Sequence, residues 1–205
     1  MHINENFTGI LLVGGMSRRY GSPKAFAQYK GQAYYEIAYE ILLTVCPRVM
    51  IVTREELLPK FPNHLEVLVD LPSVKGKGPL AGIYSVMSHV DSEYYVVMPC
   101  DLPLMTVKVM NYLIAQHRSK VTVATMNEQI QPLVSVWDSE MKPQISKSLQ
   151  NNQLSMKETF NKTLVNFVSV DHLHSNRPVF MNINTQDQER ELRKWTQSSM
   201  HSEDL

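Results

Sequence analysis

The chain has 205 residues, 43% of them hydrophobic, with 20 Lys+Arg against 20 Asp+Glu. That length suits one domain with a proper apolar core, and the balanced charge gives no global argument for nucleic acid, an anionic membrane or an acidic partner. No apolar run approaches the ~20 residues that cross a bilayer, and residues 1–8 carry no basic-then-apolar leader, so a cytoplasmic protein is expected.

The first predicted element is a strand at 8–13, which runs directly into Gly14-Gly15-Met16-Ser17-Arg18-Arg19-Tyr20-Gly21-Ser22-Pro23-Lys24. Two glycines let the backbone approach an anion closely, Ser17 adds a hydroxyl donor, and Arg18, Arg19 and Lys24 add positive charge. The set suits a polyphosphate, although a Gly-Gly pair after an apolar run also suits a plain turn. The Walker pattern is absent, and so is GxGxxG.

Further strands are predicted at 48–53, 65–69, 94–98 and 121–126. Between them, Ile37, Ala38, Ile41, Leu42 and Val45 form one helical stripe, and Leu80, Ile83, Tyr84, Met87 and Val90 form another. Alternating strands and helices imply βαβ units, a doubly wound and mostly parallel α/β sheet. Thr53 with Glu56, Ser155 with Glu158 and Thr185 with Gln188 match capping boxes, and Pro79 follows Gly78 as proline does at a first helical position. After about residue 127 the pattern changes: 131–137, 164–170 and 179–184 read as strands in a variable, substrate-facing region grafted onto the sheet. Residues 196–205 read as a frayed tail. Cys46 and Cys100 lie far apart without metal-ligand spacing and read as small buried apolar residues.

Ligands of open α/β sheets bind at the carboxyl ends of strands, which directs attention to the residues just after them. Asp70 follows the 65–69 strand and precedes the flexible Lys75-Gly76-Lys77-Gly78-Pro79 turn, whose two lysines, with the cations of 17–24, make up the local basic character of the chain. It is placed either to accept hydrogen bonds from a base or ribose or to open a loop as an Asx turn. Asp101 ends a buried strand between Pro99 and Pro103. A carboxylate there needs a charged partner, for which Mg²⁺ with phosphate oxygens is suited, the alternative being a turn or N-cap aspartate. Asn182 and Asn184 share one face of the 179–184 segment and could order a metal or phosphate, although Asn184-Thr185 reads more simply as a helix start. The histidines lack HExxH spacing, and no Gly-x-Ser-x-Gly elbow occurs. The phosphate loop and the strand-end aspartate together imply metal-assisted phosphoryl or nucleotidyl chemistry.

These residues resemble the molybdenum cofactor guanylyltransferases, MobA-type enzymes of the nucleotidyltransferase group. The family's Leu-Ala-Gly-Gly-x-Ser-x-Arg-Met-Gly-x-x-Lys motif is matched from Leu12 to Lys24, with Val13 in place of alanine and Tyr20 in place of methionine. Asp70, Gly78-Pro79-Leu80-Ala81-Gly82, Cys100-Asp101-Leu102-Pro103 and Asn182-x-Asn184-Thr185 follow in the family's order. The likeness spans about 7–195. It implies one nucleotidyltransferase domain over 1–195, nucleotide-binding over about 1–105 and facing the cofactor or partner over about 106–195.

By the same resemblance, GTP is contacted by Leu12, Val13, Gly14, Gly15, Lys24, Thr53, Asp70 and Asp101. Arg19, Lys24 and Asp101 carry catalysis, and Asp101 holds Mg²⁺, joined by Asn182 and Asn184. The implied reaction moves GMP from GTP to the terminal phosphate of molybdenum-molybdopterin. The implied partners are molybdoenzyme apoproteins and other cofactor-biosynthesis proteins, with no nucleic acid or membrane, and the chain is expected as a monomer. Gln131-Pro132-Leu133 stands where relatives often carry a basic residue or histidine before the proline. The alternatives are cytidylyl transfer to molybdopterin, a sugar-phosphate acceptor, or a non-catalytic nucleotide-binding regulator.

Overall fold

A computed structural model of the chain describes residues 5–15, 20–21, 23–173, 178–183, 185 and 187–192. The opening strand β1 (Phe7–Leu12) leads through a 3-10 turn, Lys24–Phe26, into a small hairpin of β2 (Gln28–Tyr29) and β3 (Gln32–Ala33). Helix α1 (Tyr34–Val45) follows, begun by the Glu36 carboxylate accepting from the Ala33 amide at 2.8 Å. Next come β4 (Arg48–Thr53), β5 (Val67–Val69), α2 (Pro79–His89), β6 (Tyr94–Pro99) and α3 (Val107–Ala115). The second half adds β7 (Val121–Met126), β8 (Gln129–Asp138), α4 (Lys142–Gln150), α5 (Met156–Phe160) and β9 (Val165–Ser169).

One seven-stranded sheet runs in the order β5-β4-β1-β6-β8-β7-β9. Its pairs are parallel except that β8 runs antiparallel to both β6 and β7. The central strands are largely apolar because both faces are covered. Leu11, Val96 and Met98 face α1 and α3, whereas Ile10, Tyr95 and Val97 pack in the layer with α2 and α4. Gly82 lets α2 approach closely: a Cβ there would stand 2.9 Å from Leu12 Cδ2 and 3.2 Å from Val52 Cγ1.

The predicted mostly parallel sheet is thus present, and four local expectations are corrected. The region after residue 127 is not a graft, because β8 and β9 are strands of the same sheet. Within β8 the register jumps from Val123↔Ser135 to Ala124↔Gln131, so Pro132, Leu133 and Val134 bulge out. Proline is accommodated there because a bulge leaves its missing N–H without consequence for the ladder. Residues 179–183 form a turn and an extended segment instead of a strand. Of the capping boxes, Thr185–Gln188 is reciprocal and the Ser155 side chain accepts from the Glu158 amide. Thr53 caps nothing, since Arg54 occupies the cap position of the 3-10 helix Glu55–Lys60 and makes no side-chain cap bond. The fourth correction is to the 65–69 strand, which pairs only over Val67–Val69.

Candidate active site

Strand register brings the strand-end residues into one row. Leu12 is opposite Val52 on one side and Pro99 on the other, and Thr53 is opposite Val69. Across the carboxyl edge the order is therefore Asp70, Thr53, Val13 and Cys100-Asp101. Three inter-strand spacings separate the ends of this row, about 14 Å in all, a span that a nucleoside triphosphate covers. The row includes the switch point, where the chain leaves β5 on one side of β1 and returns as β6 on the other, and crevices of open α/β sheets lie at such points.

At the β1/β6 end, Lys24 Nζ lies 2.5 Å from Asp101 Oδ2, with the two side chains 12% and 13% exposed. Lys24 thus reaches the tip of β6. Asp101 Oδ1 is buried without a hydrogen-bond partner among the described residues. A cavity lined by Val13, Gly15, Pro23, Lys24, Ala25, Leu57 and Cys100 opens beside the pair.

Gly14 and Gly15 are exposed and neither has positive φ. No described atom lies within 4 Å of where their Cβ atoms would stand. Neither local conformation nor packing against the described residues demands glycine, and the bare backbone leaves room for a group approaching from outside. Val13 contributes differently from a cradle amide, since its N–H donates to the Val52 carbonyl at 2.8 Å, and the Leu12 carbonyl accepts from Cys100 at 3.3 Å. These two residues anchor the loop to its neighbouring strands.

At the β5 end, Asp70 Oδ2 accepts from the Gly76 amide at 3.1 Å. The bond spans six residues, so Asp70 ties down the 71–76 loop without forming an Asx turn. Partial burial pushes its carboxyl above the ordinary carboxylate range, moderated by the Gly76 amide and Lys75. The next residue is fixed too: the Leu71 amide donates to the buried Ser85 Oγ at 2.9 Å, and Ser85 donates to the Ala81 carbonyl at 2.7 Å. Sequence reasoning missed Ser85, whose role needs the helix to be docked. The Thr53 hydroxyl is buried with no partner among the described residues, as is Arg54 Nε.

The structure draws other expected groups elsewhere. Lys75 pairs with Glu55 at 2.9 Å, and Lys77 Nζ donates to the Leu149 carbonyl at 2.7 Å, closing the end of α4. Both fasten the Asp70 loop in place of meeting phosphate. Asn182 is exposed and off any strand. Its expected companion Asn184 lies outside the described residues, as do Met16, Ser17, Arg18, Arg19 and the 196–205 segment. Cys46 and Cys100 are both free and buried, and burial pushes each thiol up to about 12.

Among the described residues no group of three or more His, Cys, Asp or Glu converges as a metal cluster. A divalent ion such as Mg²⁺ fits the Asp101 position nonetheless. It is commonly held by one or two carboxylates together with substrate phosphates and water, and Oδ1 is a buried acceptor without a partner among the described residues. Among the described residues no helix is long and apolar enough to cross a membrane.

A switch-point crevice with a glycine-bared loop and a Lys–Asp pair defines a nucleotide-handling α/β protein of the nucleotidyltransferase type. Comparison with known proteins agrees. The model of the MobA-like NTP transferase domain matches residues 9–166. A protein of Geobacillus sp. (strain WCH70) named "Probable molybdenum cofactor guanylyltransferase" is 37% identical, over 88% of this chain and 95% of its own. Among solved structures, the molybdopterin-guanine dinucleotide biosynthesis protein A of Archaeoglobus fulgidus superposes with a TM-score of 0.77 at 20% identity, over 93% of this chain and 99% of that one. The 4-diphosphocytidyl-2C-methyl-D-erythritol synthase of Anaerococcus prevotii shares the fold with a TM-score of 0.67 at 13% identity, over 94% and 96% of the two chains. The chain belongs to the MobA-like NTP transferase family and is a nucleotidyltransferase.

Proposed function

We propose that this chain transfers GMP from GTP to the terminal phosphate of molybdenum-molybdopterin, giving molybdopterin guanine dinucleotide and pyrophosphate. The observation that carries the reading is the Lys24–Asp101 pair at the switch point, beside Gly14 and Gly15, whose missing side chains leave space for phosphates. The guanylyl choice rests on the relatives' names. The reading takes 1–195 as one domain, acting as a cytoplasmic monomer that passes its product toward molybdoenzyme apoproteins.

An acceptor phosphate oxygen attacks the α-phosphorus of GTP. A new P–O bond forms there as the bond from the α-phosphorus to the oxygen bridging to the β-phosphate breaks, and pyrophosphate leaves with that electron pair. A phosphate monoester is a competent nucleophile near neutral pH, so this chain supplies position and charge in place of a general base. Lys24 exchanges Asp101 for the incoming phosphates and offsets charge that builds on the leaving group. Asp101, freed from Lys24, is the residue that would hold Mg²⁺, whose contribution when bound is to neutralise phosphate oxygens. Asp70 and the Thr53 hydroxyl face the nucleoside at the other end of the row, and Arg19 joins the phosphate side.

Pyrophosphate release with molybdenum-molybdopterin as acceptor, measured in turn with GTP, CTP, ATP and UTP, tests the reading. Release with GTP well above the other three is expected. Preference for CTP would make the chain a cytidylyl enzyme, and GTP binding without any release would make it a binding protein. Either result overturns the proposal.

A further inference from the structure

Tyr20 lies within the loop between β1 and Lys24 and is 6% exposed, yet its hydroxyl is committed to the other end of the chain, donating to Glu189 Oε2 across 169 positions. The same C-terminal segment reaches the second arm of the site, where the Ile183 amide donates to the backbone carbonyl of Asp101 at 3.1 Å. Between these two bonds, Tyr20, Tyr34, Leu104, Ile183 and Leu192 form a small apolar cluster of their own, apart from the two main cores. Ile183 and Leu192 are both fully buried.

Local chemistry explains how the segment holds this shape. The Thr185–Gln188 capping box starts the helical turn over 187–192, and residues three apart on a helix share a face. Glu189 and Leu192 are such a pair: one meets the Tyr20 hydroxyl while the other fills the cluster. The motif this chain resembles carries methionine at the Tyr20 position, and a thioether could pack there but could not donate.

We propose that Glu189 is a positioning residue for nucleotide binding: through Tyr20 it latches the phosphate loop to the segment that also holds the Asp101 backbone, fixing the spacing between the site's two arms. The inference rests on the reading of Lys24 and Asp101 as the triphosphate site. Neither Tyr20 nor Glu189 touches the reacting atoms in this scheme. Their effect is to spare the loop from being ordered by the ligand, so it shows in affinity more than in turnover at saturation.

GTP affinity by titration calorimetry, together with KM and kcat from pyrophosphate release, tests this on Tyr20→Phe, Glu189→Ala, Glu189→Gln, the Tyr20→Phe/Glu189→Ala double variant and Lys24→Ala. Phenylalanine keeps the ring in the cluster, and glutamine keeps an oxygen that accepts the bond. Tyr20→Phe and Glu189→Ala are each expected to weaken GTP about 5- to 20-fold, as loss of a charge-assisted hydrogen bond in a positioned loop implies. The double variant should be no weaker than either single one, Glu189→Gln, which keeps an acceptor without the charge, should lose less than Glu189→Ala, and KM should move more than kcat. Full affinity in both single variants, or losses that simply add, would overturn the latch while Lys24→Ala still weakens GTP. Should Lys24→Ala also bind GTP normally, the site assignment fails and takes the latch with it.

Discussion

Lys24 and Asp101, 77 positions apart in the chain, are joined by a 2.5 Å ion pair at the seam between β1 and β6. The pair is largely shielded from water, and its second carboxylate oxygen has no partner among the described residues. An arrangement of this kind is poor material for stability alone, because desolvating two charges offsets most of their attraction. In the proposed function its value lies in keeping a cation and an acceptor ready for a ligand that can take both.

Removing one member should therefore harm the protein twice. Lys24→Ala leaves a buried carboxylate uncompensated, and truncations of that kind cost about 3–5 kcal/mol. Activity should fall on the order of 10² or more, as for a lost preorganised electrostatic contact. In Lys24→Ala/Asp101→Ala much of the stability should return while activity does not. Denaturant melts of both variants beside pyrophosphate assays check this, and a double variant no more stable than Lys24→Ala would contradict it.

Asp70 should trade stability for binding. Its carboxyl is raised above 3.8, chiefly by burial. Between that ordinary value and the higher folded one, the native state keeps a proton the unfolded chain has lost, so native stability falls as pH rises through the window. Asp70→Asn keeps an acceptor for the Gly76 amide and has no charge to desolvate. It should melt above the parent at neutral pH, by a margin that shrinks as pH falls toward 3.8, and bind GTP more weakly. A margin that grows on acidification would reverse the sign of the argument.

Gly82→Ala should disturb the seat of the phosphate loop from the far side of the sheet. The new methyl would stand 2.9 Å from Leu12 Cδ2, the movable end of a side chain, and 3.2 Å from Val52 Cγ1. Overpacking relieved partly by a rotating leucine should cost about 1 kcal/mol, at the low end of such substitutions. Calorimetry should find the melting temperature lower by about 2–4 °C.

The cysteines should be inert in the native state. Burial holds both thiols at about 12, so little thiolate exists near pH 8 to react. Intact-mass analysis after iodoacetamide should find no adduct on the folded chain and two after denaturation. Rapid native labelling of Cys100, which lines the cavity beside Lys24, would show that the crevice is wider than described here.

Much of this was legible in residue order because strands buried on both faces leave continuous apolar runs, and the groups that matter stand just past their ends. Gly14, Gly15, Asp70 and Asp101 stand out that way, whereas Leu12, Val13 and Thr53 enter as nucleotide contacts only through the family resemblance. What was hidden depends on tertiary distance. Lys75 and Lys77 read as spare cations near a flexible turn, yet Glu55 and the Leu149 carbonyl, brought close only by folding, engage them. Thr53 and Glu56 have capping-box spacing, but Thr53 finishes β4 and a 3-10 turn follows instead of an α-helix. The run at 179–183 alternates like a strand, whereas its Ile183 amide bonds to the Asp101 carbonyl and finds no ladder. The direction of β8 and its bulge at Pro132 likewise follow from its pairing between β6 and β7, which no local pattern encodes.

A crystal structure of the chain with GTP and Mg²⁺ tests the central claim most directly. The triphosphate is expected between the Gly14-Gly15 backbone and the tip of β6, with Lys24 Nζ moved from Asp101 onto a phosphate oxygen and the Asp101 carboxylate turned to the metal. A nucleotide bound elsewhere, with the Lys24–Asp101 pair intact at 2.5 Å, would contradict it.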